Sequence, residues 1–228
     1  MSDAAGKSGG ERSGAVGPGI HRARLASPLF LTGSAIAASF LLARFVEAPG
    51  LVEPIWKAAG IVLLGLSAAL AGAWLAAAAL FASSVGDFFL ELKPSMMIAG
   101  MASFALAHLF FIAAFALRIG KGGIRTKNWP VAAVVVAASI AMLIWLWPDM
   151  GELCLPVTGY HAVLTAMVVA AILAPVSRWA PIGAVVFLVS DAIIGLGLFK
   201  GMEDILAFNW PVYAGAQIML AYGLTRRP

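Results

Sequence analysis

From residue 27 onward the chain is a succession of long apolar runs, cut at short intervals by Pro, Gly and clusters of charge. The runs predict helices near 27–46, 54–69, 71–90, 95–117, 130–147, 155–174, 179–199 and 210–225. A helix crosses a bilayer with about 20 apolar residues, and with about 17 at the lower end, so several of these eight spans are near the minimum. The second and third are divided only by an Ala-Gly-Ala step at 71–73. Read as one re-entrant hairpin, they still leave an even count. Backbone at bilayer depth must satisfy its own hydrogen bonds, so the pattern predicts an all-α transmembrane bundle with short connections over 27–228. Residues 1–26 are rich in Gly, Ser and charge. They lack the apolar core of about 7 or more residues that a secretory signal needs, and are expected to form a disordered cytosolic tail.

Composition supports the membrane setting. Hydrophobic residues make up 62% of the 228 and charged ones 11%, with a mean hydropathy of +0.96, whereas soluble domains run at about 45–50% and about 25%. The net charge of +4 does not point to nucleic acid, because the basic residues occupy short segments between apolar runs. Cytoplasmic loops collect Lys and Arg. With the N-terminus inside, the inner segments hold eleven of them: Lys7, Arg12, Arg22, Arg24, Arg118, Lys121, Arg125, Lys127, Arg178, Arg226 and Arg227. The outer segments hold three, Arg44, Lys93 and Lys200. Both termini are therefore expected to be cytoplasmic, in the inner membrane if the host is bacterial. The single cysteine, Cys154, rules out an internal disulfide, and with three histidines the chain offers little for a metal; no metal or cofactor is expected.

Ionisable side chains within spans cost about 2.5–3.5 kcal/mol on insertion scales and need a partner or a water-filled cavity. Asp87 lies near the outer end of the third span, with Ser83 and Ser84 on the same helix face. It is either hydrated at the interface or part of a site. Asp191, preceded by Ser190, falls near the middle of the seventh span, where an aspartate is either functional or structurally hydrogen-bonded. Lys57 enters the second span from outside and either snorkels to headgroups or serves as a counter-ion or phosphate contact. His108 sits well inside the fourth span, and its partner decides whether it is structural or catalytic. Tyr160 and His161 in the sixth span, and Tyr213 with Gln217 one turn apart in the eighth, fall at comparable depth. Six helices thus aim polar groups at one layer, which describes a cavity better than scattered interface anchors.

Two carboxyl groups in a low-dielectric pocket do not both stay ionised unless Lys57 compensates one, so one acid and one base result. No serine elbow, HExxH or Gly-rich phosphate loop occurs in the chain. The set suits acid-assisted addition of water more than covalent or metal catalysis.

Lys57, SSVGDFFLEL at 83–92, GMASFALAH at 100–108, PVTGY at 156–160, GAVVFLVSD at 183–191 and YAGAQ at 213–217 together resemble the YhhN/TMEM86 family of integral membrane proteins, whose characterised members are lysoplasmalogenases. The likeness covers nearly everything from residue 30. The family's two aspartates fall on Asp87 and Asp191, its lysine on Lys57 and its histidine on His108. Two positions depart: Ala58 stands where a proline commonly follows the lysine, and Phe111 where a tyrosine often follows the histidine by three. The resemblance implies hydrolysis of the vinyl ether of a lysoplasmalogen, giving a fatty aldehyde and a glycerophospho-alcohol. Asp191, taken as the more buried, is expected to be the acid and Asp87 the base, with His108 beside them. Lys57, Tyr160, Ser190, Tyr213, Gln217 and Ser83 are expected to bind the lysophospholipid.

Two rival classes remain open on the sequence: a transporter or channel that uses the same charges as an ion or proton relay, and a non-catalytic lipid-binding or scaffolding protein. The first lacks the Gly/Pro-interrupted pair of broken helices that often marks carrier sites.

Overall fold

The computed structural model describes residues 18–46 and 49–226, with side chains from residue 26 onward except Arg44. Eight α-helices follow one another: α1 (Pro18–Ser39), α2 (Val52–Leu70), α3 (Trp74–Glu91), α4 (Met97–Gly122), α5 (Trp129–Leu146), α6 (Cys154–Leu173), α7 (Trp179–Lys200) and α8 (Asn209–Thr225). Short 3₁₀ turns join several of them, and no strand occurs among the described residues. Val131, Val134, Val135 and Val136 lie within α5 despite the weak helix propensity of β-branched residues. In hydrocarbon the intrahelical hydrogen bond overrides that preference.

Seven of the helical segments are long and apolar enough to cross a membrane. The other helix, α8, has 17 residues. Helices α2 and α3 are separate, joined by a turn at Gly72 with φ of +80°, a left-handed conformation that glycine adopts without a Cβ clash. The first helix starts at Pro18 and passes into a 3₁₀ turn at Phe40–Phe45. It thereby takes in residues 18–26, which the sequence assigned to the tail, while residues 1–17 lie outside the described residues.

Polar ties sort the helix ends into two sets. At one, Lys57 pairs with Glu91, Lys93 with Glu53 and Lys200 with Asp149. These join the start of α2 to the end of α3 and the end of α7 to the end of α5. At the other, Arg118 donates to the Leu224 carbonyl at 3.1 Å and Asn128 to that of Ile172 at 2.8 Å. The segments rich in Lys and Arg belong to this second end.

Small residues let the helices close on one another. A Cβ on Gly223 of α8 would lie 2.4 Å from the Ala180 nitrogen of α7, and one on Gly60 of α2 would lie 2.6 Å from the Ala37 nitrogen of α1. Such close approach is how helices pack in lipid, where no hydrophobic force drives them together. Ala76, Ala77 and Ala79 are buried accordingly, while Leu31, Val134, Ile144 and Leu155 turn outward. The core contains Phe104, Phe111, Phe115, Phe187, Leu164 and Met167, and the polar groups described next sit at one end of it.

Candidate active site

A cavity opens at the end of the bundle that carries the three ion pairs. Its walls come from α2, α3, α4, α5, α6, α7 and α8, and its polar lining includes Lys57, Asp87, Tyr160, His161, Ser190, Asp191, Asn209 and Tyr213. The remaining wall is apolar, with Met97, Met101, Met142, Leu146, Ile194 and Leu198 among its members. Both intramembrane aspartates therefore face one space, although Asp87 lies on α3 and Asp191 on α7.

Each aspartate is met by a tyrosine from a different helix. The Tyr213 hydroxyl donates to Asp87 Oδ2 at 2.6 Å. Behind it, one turn along α8, Gln217 Nε2 donates to the Tyr213 oxygen at 2.9 Å. The Tyr160 hydroxyl hydrogen-bonds Asp191 Oδ2, and His108 Nε2 lies 3.3 Å from the Tyr160 oxygen. The His108 ring is held edge-on to Phe187, with centroids 4.8 Å apart. Phe104 and Phe187 pack on Tyr213 in the same edge-on manner. Aromatic packing of this kind restrains each ring beyond its contribution of buried area.

The burial order differs from the sequence expectation. Asp87 is 2% exposed, whereas Asp191 is half-buried on the cavity wall. Depth along a helix does not tell which side of that helix the cavity opens on. Burial therefore does not single out Asp191 as the acid.

Lys57 is not paired with either aspartate of the cavity. Its ammonium bonds Glu91 at 2.8 Å and lies 5.4 Å from the Trp210 ring centroid and 5.8 Å from that of Phe40, within cation–π range. The ammonium is thus held at the cavity wall rather than extended along the bundle surface. Trp210 in turn donates to the Ala37 carbonyl at 2.8 Å, tying the start of α8 to α1.

Three expected site residues stand behind the wall rather than on it. His108 and Gln217 are fully buried, and each reaches the cavity only through its tyrosine. Ser83 is also fully buried, and its hydroxyl has no partner among the described residues. Ser190 is on the wall and donates to Asn209 Oδ1 at 2.8 Å. His161 also faces the cavity and is bonded through Nε2 to Ser139 Oγ of α5 at 2.7 Å.

Sequence reasoning missed Glu91, Asn209 and Trp210. Glu91 falls just beyond the predicted third span of 71–90, yet it closes α3 one turn beyond Asp87 on the same face. That spacing, with Lys57 at the matching end of the preceding span, was the signal available. Asn209 and Trp210 begin α8 and carry no signal beyond their position next to a span. Among the described residues, no three His, Cys, Asp or Glu side chains converge as a metal-binding group.

The arrangement supplies two carboxyl groups able to give or take a proton, two oriented hydroxyls and a paired cation above an apolar chamber. Similar proteins carry matching names. A lysoplasmalogenase of Mycobacterium bovis is 37% identical over 186 residues, covering 76% of this chain and 70% of the relative, and one of Mycobacterium tuberculosis aligns with the same figures. Lysoplasmalogenase TMEM86B of Rattus norvegicus is 30% identical over 156 residues, covering 68% of this chain and 63% of its own length. No solved structure matches. The YhhN family matches residues 52–224, a stretch that includes every residue of the cavity wall, and the chain belongs to that family.

Proposed function

We propose that the chain is a multi-pass membrane hydrolase that cleaves the vinyl ether of lysoplasmalogens, adding water to give a fatty aldehyde and a glycerophospho-alcohol. The observation that carries this reading is the pair of tyrosine-bonded carboxyl groups that two different helices, α3 and α7, bring to the wall of one cavity. The relatives named lysoplasmalogenase support the choice of bond.

A vinyl ether is inert to nucleophiles but basic at its β-carbon. One carboxylic acid protonates that carbon, and the electron pair of the double bond forms the new C–H bond. This leaves an oxocarbenium ion, which the second carboxylate stabilises electrostatically in a site of low dielectric. The same carboxylate orients a water molecule and takes its proton as the oxygen attacks. The resulting hemiacetal collapses to the aldehyde and the free alcohol as the second carboxyl gives its proton to the departing oxygen and the first carboxylate takes the hemiacetal hydroxyl proton, which restores both groups. General acid–base steps of this kind contribute about 10²–10⁴-fold each.

The apolar wall from α4, α5 and α7 takes the aliphatic chain, and Lys57 at the wall takes the phosphate of the head group. Phosphate binding would recruit the ammonium from a pair with Glu91 that is already formed, which keeps the cation in place while the site is empty. The orientation that fits the charge distribution puts the cavity end outside and the Lys- and Arg-rich end, with both termini, in the cytoplasm.

The test is turnover of lysoplasmenylethanolamine by purified protein in detergent or nanodiscs, with aldehyde release as the readout. Asp87→Asn and Asp191→Asn proteins that fold normally are expected to lose activity. Full turnover by both would contradict the proposal.

A further inference from the structure

At the ion-paired end of the bundle, charged groups stand in an order that complements the charges along a zwitterionic lysolipid. On α3, Glu91 lies one turn beyond Asp87 on the same face, about 6 Å further along the helix at about 1.5 Å per residue. Lys57 of α2 joins the two levels: it lines the cavity together with Asp87, and its ammonium bonds Glu91 at 2.8 Å. From the chamber toward the helix ends the order is thus a reacting carboxyl, a cation and an anion. A lysoplasmalogen held with its ether at the aspartates carries its phosphate and then its head-group amine in the same direction, opposite in sign to Lys57 and Glu91.

The Lys57–Glu91 pair is placed where a ligand can exchange with it. Its side chains are 15% and 23% exposed, open enough to be reached and buried enough that leaving either charge alone is costly. The rings of Phe40 and Trp210 flank the ammonium and pack on each other with centroids 4.9 Å apart. With those rings and Glu91 around it, the ammonium is reached from the cavity that Lys57 lines. Glu91 stands at the rim behind it, next to Leu90 of the wall. A second pair, Lys93 with Glu53 at 2.7 Å, joins the same two helices, but its lysine is exposed and neither residue lines the cavity.

We propose that Glu91 selects the head group: as the lysolipid phosphate takes Lys57, the freed Glu91 carboxylate binds the head-group ammonium, so the site takes zwitterionic lysolipids and rejects anionic ones. The proposal rests on the vinyl ether reading for the bond that reacts, and on the ion pair for the head group. In the exchange, one ion pair within the protein and one within the ligand become two pairs between them, and no charge is left alone. A phosphoglycerol or phosphate monoester head brings an anion with no cation after it. Its phosphate then draws Lys57 away and leaves Glu91 unpaired beside a like charge, which is discrimination by an uncompensated group. Glu91 does not touch the reacting bond, so its effect falls on binding.

The test compares Glu91→Gln with Glu53→Gln, which breaks the neighbouring α2–α3 pair and controls for loss of a tie between the helices. Aldehyde release is measured on vinyl-ether lysolipids of one chain length that carry phosphoethanolamine, phosphoglycerol or phosphate monoester heads. The wild type is expected to favour the ethanolamine lipid in kcat/KM by at least about tenfold. Glu91→Gln is expected to shrink that preference by about tenfold or more, chiefly through KM, while Glu53→Gln keeps it. A binding arm needs no turnover. Alkyl-ether lysolipids with the same three heads have no vinyl carbon to protonate, and the rise each causes in unfolding temperature in non-ionic detergent reports its affinity. The ethanolamine lipid is expected to give the largest rise in the wild type and to lose that lead in Glu91→Gln. A wild type without the preference, a Glu91→Gln protein that weakens equally on all three heads, or a preference that Glu53→Gln abolishes as well overturns the proposal. A wild type that shows the binding order and releases no aldehyde sinks the vinyl ether reading alone and supports the head-group site.

Discussion

At Asp87 and Asp191 a carboxyl group sits within an apolar helix and faces the cavity, and each is met by a hydroxyl from another helix. Removing either carboxyl while keeping its shape should therefore spare the fold and stop the chemistry. Asp87→Asn and Asp191→Asn are each expected to reduce kcat by about 100-fold or more, with elution in detergent unchanged. Lys57 predicts a different signature. Its ammonium is neutralised by Glu91 at 2.8 Å and does not touch the reacting bond in the account above. Lys57→Met should raise KM for a phosphate-bearing lysolipid by about tenfold with a smaller change in kcat, measured by steady-state kinetics on substrates with and without the phosphate. These principal residues were legible in the sequence because charge inside an apolar run is costly and so stands out. Glu91 and Asn209 were not, since at the end of a span a polar residue is ordinary. The relative burial of the two aspartates was misread for a related reason: residue number gives depth along a helix but not the direction in which the cavity opens.

At the scale of the helix, the apolar runs located all eight elements, and most boundaries fall within a few residues of those read from the sequence. The largest departures are in α1, which runs Pro18–Ser39 instead of 27–46, and at the end of α4, at Gly122 instead of 117. Helix is the default for apolar sequence in lipid, so boundaries followed from hydropathy. Which helices touch did not follow. The α7–α8 contact brings Asp191 and Tyr213 to one wall, and it depends on residues that carry no charge. A Cβ at Gly223 would meet the Ala180 backbone at 2.4 Å, whereas at Gly120 of α4 nothing lies within 4 Å. Gly223→Val should therefore lower stability by about 1–3 kcal/mol through overpacking and spread the wall of the site. Gly120→Ala should be neutral or slightly stabilising, since Ala is the better helix former by about 1 kcal/mol. Thermal unfolding in detergent, followed together with turnover, separates the two. Equal behaviour of both variants would show that the α7–α8 approach does not hold the site.

For the molecule as a whole, the two ends of the bundle are chemically unlike. One carries the cavity, with its ion pairs and acidic connections, and the other carries Arg118, Lys121, Arg125, Lys127 and Arg178. The proposed orientation predicts that a cysteine at position 152, in a Cys154→Ser background, is labelled by an impermeant maleimide from outside intact cells. One at position 178 should be labelled only after the membrane is opened. Labelling in the opposite sense would invert the topology and place the active site on the cytoplasmic face. The chamber also predicts chain-length selection. Met142 and Leu146 of α5 line the apolar wall with Ile194 and Leu198 of α7, and Met142→Trp should shift preference toward shorter aliphatic chains in competition assays. The membrane setting and the shared layer of polar groups were legible from composition and spacing, and the vinyl ether from the resemblance alone. No residue in the wall spells out which ether or ester it accepts, because an apolar pocket discriminates by only about 1–3 kcal/mol per methylene. The decisive measurement is therefore product analysis by mass spectrometry on a matched panel of vinyl-ether, alkyl-ether and acyl lysolipids, with the two Asn variants as controls. The account predicts fatty aldehyde from the vinyl ether alone, lost in both variants. Release of fatty acid from the acyl lysolipid, or aldehyde formation undiminished in Asp87→Asn and Asp191→Asn, would contradict it.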